Sequence, residues 1–231
     1  MKKSLFLCFL LLLISFVNPS FSQVVKWTAQ WIMHPNVQPQ SHAVVLFRKT
    51  FELQTKREQF IIHVSADNHY RLFVNGNYVL RGPARGDLSH WFFETIDIAP
   101  FLHPGTNTIA AEVINWGPKR SFTFFSQMTS FILQGDSENE KMVNTSGDSW
   151  KCILNEAYHP KLVEWMTDRS TIDFGLYVGN PSDSVRADAY PWGWEKPSFD
   201  DSNWVPANGV TLQEVALNSL QGEFCMVVEN C

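Results

Sequence analysis

Residues Ser65 to Trp116 read SADNHYRLFVNGNYVLRGPARGDLSHWFFETIDIAPFLHPGTNTIAAEVINW, and their pattern decides the fold class. Tyr70, Leu72 and Val74 alternate with Arg71 and Phe73, the two-residue period of a strand with one buried face. Asn75-Gly76-Asn77 then supplies residues that tolerate positive φ, as a tight hairpin turn requires. Tyr78, Val79 and Leu80 form the return strand, which Arg81-Gly82-Pro83 breaks. A second strand pair is expected next. Trp91 to Ile96 is rich in aromatic and β-branched residues, and Thr108 to Ile114 sets Ile109, Ala111 and Val113 against Thr108, Ala110 and Glu112. Pro100, Pro104 and Gly105 exclude a continuous strand between them. The reading is an antiparallel, all-β core.

The flanks extend it. On the N-terminal side, Trp27 to Ile32 is apolar and tryptophan-bearing, Pro35 to His42 is a loop, and Val44 to Phe51 and Phe60 to Val64 are expected strands. On the C-terminal side Phe122 to Leu133 continues the pattern, with Phe122, Phe124, Phe125 and Phe131 expected in one core. Gly135 to Lys141 carries Asp136, Glu138 and Glu140 but lacks the ligand spacing of a calcium loop, and reads as a solvated hairpin turn. Asp148-Ser149-Trp150-Lys151 opens a short strand and Phe174 to Val178 suggests another. In Phe199 to Trp204, Asp and Ser can cap a helical turn that Phe199 and Trp204 anchor. There is no internal repeat, low-complexity linker or long amphipathic helix. One jelly-roll β-sandwich over residues 24–207, followed by an irregular tail at 208–231, is the economical architecture.

A chain of 231 residues that is 45% hydrophobic and 14% aromatic has ample material for a core. Met1 to Ser22 reads as a secretory signal peptide: Lys2 and Lys3 precede an apolar run from Leu5 to Val17, and Ser20-Phe21-Ser22 offers small residues before a cut at Gln23. The run is shorter than the ~20 residues that span a bilayer, so no stable membrane span is expected after cleavage. Cys8 lies inside the run and is followed by Phe9, which disfavours a lipid-anchored cysteine. The expected location is exported, either periplasmic or extracellular at the cell surface. Losing Lys2 and Lys3 takes the formal charge from −5 to −7, and so acidic a chain lacks the basic face that a nucleic-acid partner requires. Cys152, Cys225 and Cys231 cannot all pair within one molecule; Cys225 and Cys231 either close a short terminal loop or stay as free thiols.

Several pieces stand in a telling order: Tyr70 to Gly76 as Tyr-x-Leu-x-Val-Asn-Gly, the aromatic strand Trp91 to Thr95, Asp97-Ile98, the turn Pro104 to Asn107, and Trp116-Gly117. Asp148 to Lys151 and Trp194 through Trp204 follow. Together they resemble the sugar-binding-like β-sandwich at the N-terminus of bacterial α-L-rhamnosidases (glycoside hydrolase family 78-like) and related glycoside hydrolases. The resemblance implies a galactose-binding-like sandwich. It is less specific to rhamnose, because such sandwiches also precede β-galactosidase and β-glucuronidase barrels. The family's catalytic carboxylates lie on an (α/α)6 barrel that this chain lacks, and Val210 to Cys231 matches nothing in the family. The resemblance therefore implies a noncatalytic accessory or carbohydrate-binding domain, a fragment ending before the barrel. Two alternatives stay open: a self-contained carbohydrate-binding protein, and a purely structural domain that docks on a catalytic partner. The implied partner is a plant or bacterial glycan, with rhamnose-containing glycans among the candidates.

The residues themselves offer no hydrolytic constellation. His-Glu-x-x-His, Cys-x-x-Cys, a glycine-rich phosphate loop and Gly-x-Ser-x-Gly are all missing, so neither a metal site nor a cofactor is expected. Glycoside hydrolysis uses two carboxylates facing each other across the bond. Asp67, Asp87, Glu94, Asp97, Glu112, Asp200 and Asp201 exist, but most sit at strand ends or beside turns, where Asp serves the backbone. No pair is assigned as catalytic. Arg85-Gly86-Asp87 reads as a turn rather than an adhesion tripeptide. Sugar binding needs aromatic faces for C–H surfaces and planar polar side chains for hydroxyls. The candidates are Asp67, Asn68, His69, Arg71, Arg81, Arg85, His90, Trp91 and Trp116. Core packing is the competing reading for Trp91 and Trp116, and a solvated or interdomain loop for Arg81 and Arg85.

Overall fold

The strands expected from the alternating pattern are present, and their pairing differs from the expected one in an instructive way. The computed structural model describes residues 25–88, 90–121, 123–146, 149–161, 182–210 and 227–230. In chain order these hold β1 (Trp31–Met33), β2 (Ala43–Leu53), β3 (Ile61–Asp67), β4 (His69–Val74), β5 (Asn77–Gly82), β6 (His90–Asp97) and β7 (Gly105–Asn115). There follow β8 (Ser130–Gly135), β9 (Lys151–Leu154), β10 (Tyr158–Lys161), β11 (Ser182–Val185), β12 (Val205–Pro206), β13 (Asn208–Val210) and β14 (Val227–Asn230). Two six-stranded sheets result, one ordered β13-β1-β8-β3-β6-β14 and the other β12-β9-β2-β7-β4-β5, with β10 and β11 as a separate ribbon. The pairings are antiparallel except that of β14 with β6.

The frame is the pairing of β2 with β7, which runs from Ala43 opposite Asn115 to Leu53 opposite Gly105. Alternate residues of this pair, Val45, Phe47 and Phe51 against Ile109, Ala111 and Val113, face the interior together with Ile62, Val64, Phe131 and Leu133 of the other sheet. The Phe47 and Phe131 rings stack at 5.6 Å across the sandwich. Burying one such side chain contributes about 1.5–3 kcal/mol, so the inner faces hold the sheets together.

The hairpin from Tyr70 to Gly82 forms as expected. Asn75 and Gly76 take φ of 51° and 82°, the left-handed pair that a two-residue turn needs to match strand twist. Asn75 is more than a turn residue. Its Nδ2 donates to Phe101 O at 2.9 Å and Asn107 Oδ1 at 2.8 Å, while its Oδ1 accepts from Thr108 N at 2.8 Å. The turn is thus tied both to Phe101, before β7, and to the first residues of β7 itself.

The second expected pair is corrected. β6 and β7 are not partners: β6 pairs β3 in one sheet, and β7 lies between β2 and β4 in the other. The 3₁₀ turn Ala99–Phe101, with Pro100 inside it, carries the chain across the sandwich. The phenylalanines after Gly117 do not share one core either. Phe131 lies between the sheets, Phe124 is buried against His69 and Trp116, and Phe125 is 47% exposed. Phe122 lies outside the described residues.

Residues 136–140 form an exposed turn that leads into the 3₁₀ turn Lys141–Val143 and so toward β9 in the opposite sheet, rather than closing a hairpin. Phe199 to Trp204 is an Asx turn, Ser202 N donating to Asp200 Oδ1 at 3.0 Å, and not a helical one. Its anchoring role holds, with Trp204 packed beside Trp194, Leu46 and Ala110 on the outer face of the β2–β7 sheet. The first sheet also continues past Ala207, because Asn208–Val210 pairs with β1. The leader, Phe174 to Val178, Cys225 and Cys231 lie outside the described residues. Cys152 is buried in the core, and burial pushes its thiol up to about 12, where it stays protonated.

Candidate functional site

The outer face of the β2–β7 sheet is divided. The segment around Trp194 and Trp204 covers one part of it. Beyond that cover lies an open cleft of about 790 Å³ over β4, β5 and β7, with the β10–β11 ribbon as its far wall.

Strand register builds the centre of this cleft. Arg71 on β4 stands directly opposite Glu112 on β7, and side chains of such cross-strand pairs meet. Arg71 Nε donates to Glu112 Oε1 at 2.8 Å, and a terminal guanidinium nitrogen donates to the same oxygen. That terminal nitrogen also donates to the Tyr158 hydroxyl on β10 at 2.9 Å. The two partners differ in exposure: the Glu112 side chain is 4% exposed and that of Arg71 47%. Burial raises the Glu112 carboxyl, and the Arg71 guanidinium opposes that rise. For Arg71 burial works against the charge, but Glu112 outweighs it and holds the guanidinium above its ordinary value. The result is a permanently charged fork, anchored from below and open to the cleft.

An aromatic wall flanks the fork. His69 at the start of β4 meets Trp116 edge-on at 5.8 Å and Phe124 at 5.0 Å, and Trp116 and Phe124 lie 5.4 Å apart. Arg85 places its guanidinium 4.3 Å over the Phe124 ring and donates to Thr123 Oγ1 at 3.0 Å. The His69 pKa is lowered by burial and by the nearby Arg85 and Arg81 charges. Its Nδ1 lies 3.2 Å from the Gly82 carbonyl, an acceptor, so Nδ1 carries the proton. The neutral ring then has Nε2 as an acceptor beside the donor fork.

The other sheet contributes Glu94. Its carboxylate accepts from the Tyr70 hydroxyl at 2.5 Å and from Ala84 N at 3.0 Å, and burial raises it against those bonds. A Cβ at Gly82 would meet this carboxylate, so a larger residue there would have to displace Glu94 from Tyr70 and Ala84 N–H. Glu94 and Glu112 are thus both occupied by protein donors. The arrangement offers a planar cation, an imidazole acceptor and an aromatic face, a set suited to hydroxyl-rich ligands.

Of the sequence candidates, the cleft brings together His69, Arg71, Arg81, Arg85 and Trp116. Asp67 and Asn68 are placed elsewhere. Asp67 is 1% exposed; its Oδ2 accepts from Gln127 N at 2.5 Å and Met128 N at 3.0 Å. Asn68 donates through Nδ2 to Asp67 Oδ1 at 2.9 Å and to Phe125 O at 2.7 Å. Both serve to hold the 125–128 segment down, and burial pushes the Asp67 carboxyl up to about 7 against those backbone bonds. Trp91 is 5% exposed and meets Trp31 at 6.4 Å, so its aromatic surface is spent on packing. His90 opens β6. Sequence reasoning missed Tyr158 and Asp183, which reach the cleft from the ribbon. It weighed Glu94 and Glu112 only as acids. Glu112 carried a signal, a lone charge inside the apolar run Ile109 to Ile114, which a buried strand tolerates only with a partner.

The α-L-rhamnosidase N-terminal domain family matches residues 55–229, which corrects the expectation that the stretch from Val210 onward lies outside the family. An α-L-rhamnosidase of Streptomyces avermitilis is 26% identical over 185 residues, covering 78% of this chain and 14% of that protein. The crystal structure of the GH78 family rhamnosidase of Bacillus sp. GL1 superposes with a TM-score of 0.70 at 22% identity, over 89% of this chain and 20% of that one. The α-L-rhamnosidase of Aspergillus terreus gives a TM-score of 0.58 at 17% identity, over 80% and 21%. These structures share the fold. The chain spans only a small part of each relative's length, 14% for the curated one.

Proposed function

We propose that this chain, which belongs to the α-L-rhamnosidase N-terminal domain family, is an exported, noncatalytic carbohydrate-binding module of an α-L-rhamnosidase-like glycoside hydrolase. The observation that carries the reading is the state of the cleft's acids. Three acids line the cleft: Glu112 is committed to Arg71 and Glu94 to Tyr70 and Ala84 N–H, which leaves Asp183 without the second facing carboxylate that cleavage of a glycosidic bond uses. What faces the cleft instead is the Arg71 fork with Trp116 and His69 beside it. A saccharide would exchange its hydration for guanidinium and imidazole hydrogen bonds and lay C–H surface on the indole.

The direct test is calorimetric titration of the purified chain with L-rhamnose, D-galactose and rhamnose-containing oligosaccharides, together with an assay of aryl α-L-rhamnoside hydrolysis. Heat of binding without hydrolysis is the expected result. Turnover that disappears when Glu94 or Glu112 is changed to Gln would overturn the noncatalytic reading, and no heat with any saccharide would overturn the binding one. Export is supported by Lys2-Lys3 and the apolar run Leu5 to Val17. It predicts that mass spectrometry of the secreted product finds Gln23 as the first residue.

A further inference from the structure

Four residues, Trp192 to Glu195 of the run Pro191-Trp192-Gly193-Trp194-Glu195, display two tryptophans in opposite ways. Trp194 is 1% exposed beneath the cover of the β2–β7 sheet, whereas Trp192 is 70% exposed. Gly193 takes φ of +80°, a conformation that lets the chain reverse between them. An indole left in water forfeits the gain of burying its apolar surface, so a merely structural tryptophan gains little there. Yet this ring is held in one orientation. Its Nε1 donates to Ala187 O at 2.8 Å, and Tyr190 packs on it at 4.6 Å between ring centroids.

The ring also has a definite relation to the cleft. Tyr190 lies 6.2 Å from Tyr158, the residue that accepts from Arg71 and lines the cleft wall. Tyr158, Tyr190 and Trp192 therefore form a row of aromatic rings leading outward from the Arg71 fork. Tyr158 is also shared with a second hollow of about 400 Å³, whose lining includes Arg186 and Ala189 from the turn that holds Trp192. The two hollows thus share Tyr158 as a common wall.

We propose that Trp192 is an outer stacking platform and that the ligand is a chain of linked sugar rings rather than a single sugar. This rests on the carbohydrate-binding reading of the cleft. The inner ring of the chain meets Arg71 and Trp116, and an outer ring lies on the Trp192 indole beyond Tyr158.

The test titrates the full chain with L-rhamnose and with di-, tri- and tetra-rhamnosides, and with the matching galactose series. The wild-type protein should bind a longer saccharide more tightly than its monosaccharide. Trp192→Ala should lower oligosaccharide affinity about ten-fold while leaving monosaccharide affinity unchanged, and Trp192→Phe should restore most of the loss. Arg71→Ala should weaken both. If the wild-type protein binds a monosaccharide and longer chains no better, or if Trp192→Ala binds oligosaccharides as well as wild type, the platform is refuted and the cleft reading survives. Binding of no saccharide by the wild-type protein overturns both readings. Trp192 is exposed, so its replacement leaves the core intact, and an unchanged thermal melt confirms this in the same samples.

Discussion

The outer face of the β2–β7 sheet holds two arginine–carboxylate pairs built in opposite senses. On β2, Arg48 is the buried partner, its side chain 1% exposed, and Asp201 at 20% is nearer the solvent. On β4 and β7 the carboxylate is buried and the arginine is 47% exposed. Arg48 spends its donors within the protein: Nε on Asp201 Oδ2 at 3.0 Å, and a terminal nitrogen on the carbonyls of Trp194 and of Lys196, the latter at 3.0 Å. Phe199 and Trp204 lie against its guanidinium, 5.4 and 5.9 Å from their ring centroids. That pair is a fastener for the 190–204 segment. Arg71 uses one edge on Glu112 and Tyr158 and keeps the rest toward an open cleft. The same two residue types thus close one part of the sheet face and equip the other, and which partner is buried decides between the roles.

Replacing each arginine breaks the comparison most strongly. Arg48→Ala strands two carbonyls, leaves Asp201 to Lys151 alone, and removes the cation between two aromatic rings. A loss of about 3 kcal/mol is expected in urea unfolding, the low end for a broken buried pair because Asp201 keeps some solvent. Arg71→Ala leaves Glu112 buried with only the Tyr190 hydroxyl at 3.5 Å. It should cost less, about 2 kcal/mol, since water can reach the vacated space, and it should abolish saccharide heat in calorimetry. Equal stability losses with saccharide binding intact in both variants would erase the distinction.

Acid separates the pairs in a second way. For Asp201 burial opposes the charge, but hydrogen bonds from Lys151 and Arg48 outweigh it and hold the carboxyl below its ordinary 3.8. Its stabilisation is therefore complete above pH 3.8 and is lost as the pH falls through the depressed folded value. Glu112 runs the other way, raised by burial above 4.5 with Arg71 in opposition. Its ionisation costs stability as the pH rises from the unfolded value through the raised one, so acidification relieves that cost. Carboxyl-carbon NMR should show Glu112 titrating above 4.5 and Asp201 below 3.8. Between those values the fastener still holds while Arg71 has lost its ionised partner, so saccharide affinity should fall before the fold does. Simultaneous loss of both would mean that one transition governs the whole face.

How far such roles were legible depends on whether the cause is local. The hairpin at Asn75-Gly76 was readable because turn chemistry and strand alternation lie within a few residues of each other. The partner of β6 was not, because the Ala99–Phe101 turn moves the chain between sheets and alternation alone does not name the sheet. Arg71 and Trp116 were named by residue type and line the cleft, and Glu112 was visible as a charge in an apolar strand. Asp67 and Asn68 were offered as candidates but lie away from the cleft, because a polar pair at a strand end looks the same whether it faces a ligand or caps a buried segment. Tyr158 and Asp183 gave no signal, since a short polar ribbon lacks any apolar period and reaches the cleft only through long-range packing.

Tyr158 offers the smallest and sharpest test of the contrast. Its hydroxyl accepts from Arg71 at 2.9 Å without touching Arg48, and its ring packs on Tyr190 independently of that bond. Tyr158→Phe removes one acceptor and keeps the ring, so the stability loss should stay near 0.5–1 kcal/mol, the net worth of a single hydrogen bond. Arg71 keeps its bonds to Glu112, but the terminal nitrogen it shares between Glu112 and Tyr158 loses its tie to the ribbon. Saccharide affinity should therefore drop about three-fold, a change of roughly 0.7 kcal/mol, with the unfolding slope unchanged. If affinity is untouched while stability falls, Tyr158 braces the ribbon alone, and the Arg71 fork is positioned by Glu112 without help from the far wall.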